Sequence, residues 1–124
     1  MRTTYNWITF SLLLLPGLAM AQQSSIETAL QKGNAAELAP FFSKMVEISL
    51  PGLDDTFTSD KAVDKLTDFF NKAVIKGYRR NHTSTPQEGR SNYSIGDLYT
   101  GQGMYRMTIF FDSKKKITEI RIQQ

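Results

Sequence analysis

Apolar residues in this chain recur at helical spacing in its first part and alternate with polar residues from Gly77 onward. Ile26, Ala29 and Leu30 fall on one helical face, with Ser24 and Ser25 placed to cap that helix and Gly33 to end it. Asn34 can cap a second, short helix from Ala35 to about Ala39, which Pro40 discourages from continuing. Phe41 and Phe42 then seal the core at a turn. Val46, Ile48 and Leu50 alternate with Glu47 and Ser49, the period of a half-buried strand. Pro51-Gly52 and Asp54-Asp55 predict a turn that leads to a short extended piece around Thr56 to Thr58.

Ser59 opens the most strongly patterned helix. Asp60 lies in its first turn, where negative charge suits the helix dipole. Val63, Leu66, Phe69, Phe70 and Ala73 share one face, Asp64, Lys65 and Asp68 lie outside it, and Lys72 and Lys76 sit near its end. Four strands follow: Tyr78 to Thr85, Asn92 to Thr100, Met104 to Asp112 and Ile117 to Gln123. The breaks at Pro86-Gln87-Glu88-Gly89, Gly101-Gln102-Gly103 and Ser113-Lys114-Lys115 are of hairpin length, which predicts an antiparallel meander. Helices first and sheet second make an α+β domain. A curved antiparallel sheet wrapped around the N-terminal helices would be covered evenly, with Gly77 and Gly96 as places to bend. Alternation puts Tyr105, Met107, Ile109 and Phe111 on one face and Met104, Arg106, Thr108 and Phe110 on the other. The first set is the more apolar and belongs inside. Met104, Arg106 and Phe110 then form a mixed outward surface suited to a homodimer through the sheet.

The N-terminal residues carry an address. Arg2 precedes an apolar stretch from Trp7 to Leu15, Pro16-Gly17 breaks it, and Ala19-Met20-Ala21 offers the small residues that a signal peptidase reads. The stretch falls well short of the ~20 residues that span a bilayer. Residues 1–21 are therefore expected to be a secretory signal peptide and residues 22–124 a single exported domain without a membrane span. There is no cysteine. Disulfides, thiolate metal sites, a cysteine nucleophile and a lipidated cysteine are all excluded, and a small exported domain without disulfides points to a bacterial periplasm or its surroundings.

The net charge of +3 divides unevenly. From Gln22 to Asn71 four lysines stand against eight acids, and from Lys72 to Gln124 ten basic residues stand against four acids. Such polarity fits an anion-binding face, or two halves that pack with complementary surfaces. His82 is the single histidine, and alternation places it with Tyr78, Arg80 and Ser84. Asp97 shares a face with Tyr93, Ile95 and Tyr99, so it could act as a general base beside a tyrosine, or simply partner Arg106 or Arg121 across the sheet. No set of residues suits a metal or a cofactor, because Asp54-Asp55 is explained by a turn. Arginines and lysines interleave with tyrosines after Tyr78, but export takes nucleic acid out of reach and Lys114-Lys115-Lys116 reads as a solvated hairpin tip.

Taken in order, the residues show a resemblance. A short helix pair ends near Gly33-Asn34, then come Phe41-Phe42 and the strand Val46 to Leu50. A helix with Leu66 and Phe69-Phe70 follows, then His82, Tyr93-Ser94-Ile95-Gly96 and Tyr105-Arg106. This resembles a family of small secreted bacterial proteins of unknown function within the nuclear transport factor two-like (cystatin-like) superfamily. The resemblance implies a cone, a bent sheet folded around helices with a pocket at its open end. It does not choose a chemistry. Two functions stay open. One is a non-catalytic binding or interaction module for a small apolar or anionic ligand. The other is a small-molecule lyase or isomerase using His82 or Asp97 with Tyr99 in the cone pocket. The expected export site is tested by the intact mass of the secreted protein, which should begin at Gln22; a start well inside the first helix, or retention in the membrane fraction, contradicts it.

Overall fold

In the computed structural model, residues 21–85 and 92–124 are described. The apolar N-terminal stretch and the turn at Pro86 to Gly89 lie outside them. Helix α1 covers residues 21–32. Ser24 and Ser25 are not its caps: the helix already runs through them, and the Ser25 hydroxyl donates back to the Ala21 carbonyl oxygen at 2.9 Å. Its C-terminus ends as expected. Gly33 takes φ +68°, its N–H bonds to Leu30 O and that of Asn34 bonds to Ala29 O. A Cβ on Gly33 would stand 2.8 Å from Ile75, so the glycine also admits the neighbouring strand. The next segment is a 3-10 helix, Ala35–Phe41, with Pro40 inside it and Ala35 and Leu38 buried; the Asn34 side chain makes no capping bond.

Strands β1 (Phe42–Leu50) and β2 (Leu53–Thr58) form a hairpin. The turn is tighter than the sequence suggested. Pro51 and Gly52 suffice, with Gly52 at φ +86°, so Asp54 and Asp55 belong to β2. Helix α2 (Ser59–Ala73) buries Ala62, Leu66, Phe70 and Ala73, with Val63 and Phe69 partly buried against the same core. Lys76 falls outside α2, in β3 (Ile75–Thr83). Then come β4 (Asn92–Thr100), β5 (Gly103–Phe111) and β6 (Ile117–Gln123).

The six strands make one sheet in the order β2-β1-β6-β5-β4-β3. Strands β3 to β6 form the expected antiparallel meander, while β1 lies parallel to β6 and makes the sheet mixed. That pairing sets Ile48 beside Ile120, both fully buried, and joins the N-terminal hairpin to the last strand. Residues of α1, the 3-10 helix and α2 share one core with the inner face of the sheet, including Tyr105, Met107, Ile109 and Phe111 as alternation predicted. Burying these side chains, at roughly 1.5–3 kcal/mol each, is the main stabilising term of a domain without disulfides.

Both glycines proposed as bends mark special places. The β3–β4 register shifts next to Gly77. Gly96 lies under the Tyr78 ring: a Cβ there would overlap the phenol and stand 2.7 Å from the Arg79 carbonyl oxygen. Burial, and then the negative charge of Glu27, push the Tyr78 phenol up to about 12. Gly96→Ala should therefore destabilise the domain by about 1–3 kcal/mol in chemical denaturation, because backbone cannot move aside; an unchanged midpoint contradicts this close contact. In a spectrophotometric titration one tyrosine should ionise near pH 12, and Tyr78→Phe should remove that step. Since the folded state holds this proton more tightly, stability should fall as pH rises from about 10 toward 12.

Candidate functional site

The local feature that shapes both faces of the sheet is a β-bulge. Arg80 pairs with Gly96 and His82 pairs with Ile95, so Asn81 is an extra residue in β3. Tyr78 and Arg80 lie on the helix side of the strand. Beyond the bulge the phase is inverted: His82 is on the outer face, and Thr83 stands opposite the buried Ser94. The alternation expected of Tyr78, Arg80, His82 and Ser84 therefore breaks at Asn81.

A cleft of about 500 Å³ opens between the first turns of α1 and the ends of β3, β4 and β5. Phe111 gives it apolar wall and the strand at Tyr93 borders it, while Arg80, Glu27, Asn92 and Lys115 bring polar groups. The Arg80 guanidinium bridges to α1: Nε is 2.9 Å from Glu27 Oε1, and Nη1 donates to Gln23 Oε1 at 2.7 Å. The Gln22 amide donates to the Lys115 carbonyl oxygen at 2.8 Å. Lys115 is held at φ +65° by Asp112, whose Oδ1 accepts from the N–H groups of Lys114 and Lys116 at 2.9 Å each. The Ser84 hydroxyl accepts the Tyr93 N–H at 2.8 Å and fixes the strand ends. Asn92 Oδ1 is buried and has no hydrogen-bond partner among the described residues.

The residues singled out for acid–base work lie elsewhere. His82 packs its ring against Tyr93 with centroids 5.9 Å apart. Asp97 faces outward between Arg79 and Arg106 in the strand register and accepts from Asn81 Nδ2 at 2.9 Å. Tyr99 is 39% exposed on the same outer face. None of the three lines the cleft. Met104, Arg106 and Phe110 also lie on the outer face, as alternation required. Sequence reasoning missed Gln23, Glu27, Asn92 and Asp112. Only Asp112 had a readable signal, an aspartate opening a lysine-rich turn. Among the described residues no three His, Cys, Asp or Glu side chains cluster as metal ligands, and no helix is long and apolar enough to cross a membrane.

Comparison with known proteins places this geometry in a family. No curated protein matches the chain. A family protein from Bacteroides ovatus has a crystal structure 28% identical in sequence, with a TM-score of 0.71 over 79% of this chain and 90% of that one. A second, from Bacteroides fragilis, is 27% identical with a TM-score of 0.72, covering 81% of this chain and 96% of the other. An uncharacterised cystatin-like protein from Silicibacter pomeroyi, 14% identical with a TM-score of 0.58 over 81% of this chain and 70% of its own, shares the fold alone. The profile of the domain of unknown function DUF4783 matches residues 23–123, nearly the whole described domain, and the chain belongs to that family.

Proposed function

We propose that this chain is exported and works as a non-catalytic binding module, holding a small amphipathic anion in the cleft at the open end of its cone. The observation that carries the reading is the composition of the cleft among the described residues: apolar wall from Phe111, and two cations, Arg80 and Lys115, against one carboxylate, Glu27. Glu27 offsets Arg80, which leaves Lys115 at the rim to meet an anionic head. Pockets that combine apolar wall with few convergent polar groups suit small ligands. Export rests on the pattern from Arg2 to Ala21.

Catalysis would need a proton-transfer group within reach of the bound molecule. His82, Asp97 and Tyr99 are on the outer face, and Glu27, the one carboxylate lining the cleft among the described residues, is engaged by Arg80. The non-catalytic reading is therefore preferred to the lyase or isomerase.

Titration of the exported protein with sodium dodecanoate, followed by calorimetry, tests this. Saturable one-to-one uptake is expected, and Lys115→Glu should weaken it about tenfold, as reversing one charge near a partly screened anion implies. His82→Ala and Asp97→Asn should bind as the wild type does. Absence of saturable uptake, or uptake indifferent to Lys115→Glu, overturns the assignment.

A further inference from the structure

Helix α1 begins at the bond that export is expected to cut. Before the cut, the Gln22 nitrogen belongs to the Ala21–Gln22 peptide bond, and the Ala21 carbonyl oxygen accepts from the Ser25 hydroxyl at 2.9 Å. Removal of residues 1–21 takes that carbonyl away and turns the Gln22 nitrogen into an α-amine. An ordinary α-amine loses its proton near about pH 8, so at about pH 7 it is mostly an ammonium.

Gln22 is half-buried in the wall of the cleft, on the same helix as Gln23, Ser24 and Glu27. Its side-chain amide donates to the Lys115 carbonyl oxygen at 2.8 Å, and the next residue, Gln23, accepts from Arg80 Nη1 at 2.7 Å. Both ties run from α1 to the sheet side of the cleft and leave out everything before Gln22. They hold in place a chain end that would otherwise fray. Charge in the cleft gives the new amine a use. Among the described lining residues, Arg80 and Glu27 neutralise each other at 2.9 Å, and Lys115 is the remaining charged group. An ammonium at Gln22 raises the surplus from one positive charge to two, at the part of the rim that the Gln22–Lys115 bond joins.

We infer that the α-ammonium created at Gln22 by export cleavage is a second cation of the cleft, and that it grips the anionic head of the bound molecule together with Lys115. This rests on the export and the cleft proposed above. In the precursor the same nitrogen is an uncharged amide, so the anion site is completed only when the chain has been exported and cut. Ligand capture is thereby confined to the compartment in which the processed protein resides. The residue type at the new terminus also supplies a way to remove the charge. An N-terminal glutamine can close on itself: its neutral α-nitrogen bonds to its own Cδ, the Cδ–Nε2 bond breaks, and the side-chain nitrogen takes up the displaced proton and leaves as ammonia. The lactam nitrogen is uncharged, and the donor to Lys115 has gone with the ammonia.

Sodium decanesulfonate is a suitable probe, because its head keeps one negative charge at any pH used here. The exported protein, shown by intact mass to begin at Gln22, is titrated with it by calorimetry at about pH 7 and about pH 9. Uptake should be about fivefold weaker at the higher pH, as loss of one nearby positive charge implies. Glu27 of α1, Arg80 of β3, Tyr93 of β4 and Lys115 of the turn after β5 are the other titratable groups of the described lining, with Asp112, Lys114 and Lys116 flanking Lys115. Side chains of these types ordinarily keep their charge state between the two pH values, which assigns the step to the amine. Protein treated with glutaminyl cyclase, lighter by one ammonia, should show no such step. Gln22→Ala keeps the α-amine but lacks the tie and cannot cyclise; it should keep the step. A protein that begins elsewhere than Gln22 overturns the inference. So does uptake that is equal at the two pH values, a step that survives cyclisation, or a step lost in Gln22→Ala, even where Lys115→Glu weakens binding and the cleft assignment stands. Absence of saturable uptake at both pH values overturns the cleft assignment and this inference together.

Discussion

Side-chain alternation keeps the two faces of this sheet apart, and one added residue, Asn81, decides how β3 obeys it. Before the bulge, Tyr78 and Arg80 point toward α1, where the phenol rests on Gly96 and the guanidinium reaches Glu27 and Gln23. After it, His82 joins Tyr93 and Phe110 on the outer face. Without the extra residue, His82 would stand among the cleft groups and the cone would look like a candidate acid–base enzyme. The bulge thus separates a polar-rimmed cleft from a ring-rich outer surface.

The two ends of α1 are held by different physics. From Ile26 to Leu30 its apolar residues are part of the core, and Gly33 locks its end against Ile75. Among the described residues, its turns from Gln22 to Glu27 are tied by side-chain bonds, from Arg80 to Glu27 and Gln23 and from Gln22 to Lys115. Partly exposed polar contacts are worth about 0.5–1.5 kcal/mol each, far less than the buried helix face. The helix is therefore firmly anchored at the base of the cone and lightly fastened at its mouth.

Much of this was legible in the sequence where apolar residues mark the phase. In β5 every second residue is bulky and apolar, so the buried set Tyr105, Met107, Ile109 and Phe111 could be read directly. In β6 Ile120 and Ile122 mark the phase in the same way. In β4, however, the bulky Tyr93, Ile95 and Tyr99 lie on the outer face and Ser94, Gly96 and Leu98 are buried, so its inner face could not be read from apolar alternation. The segment Arg79-Arg80-Asn81-His82-Thr83 is polar throughout, so nothing in it marks where the phase changes. The parallel pairing of β1 with β6 was equally hidden, since a strand's period says which side is buried but not which strand lies beside it. Ser24 and Ser25 look like caps only if the helix starts there, and it does not. Cleft residues such as Gln23, Glu27 and Asn92 are single polar positions that gain meaning from the partners the fold brings near.

The division of β3 at Asn81 is the claim on which the site and the surface both rest. Nuclear Overhauser contacts from the His82 and Arg80 side chains test it most directly. The account predicts contacts from the His82 ring to the rings of Tyr93 and, through that row, to the outer face, together with contacts from Arg80 to Gln23 and Glu27. Contacts from the His82 ring to α1, on the same side as Arg80, would contradict it.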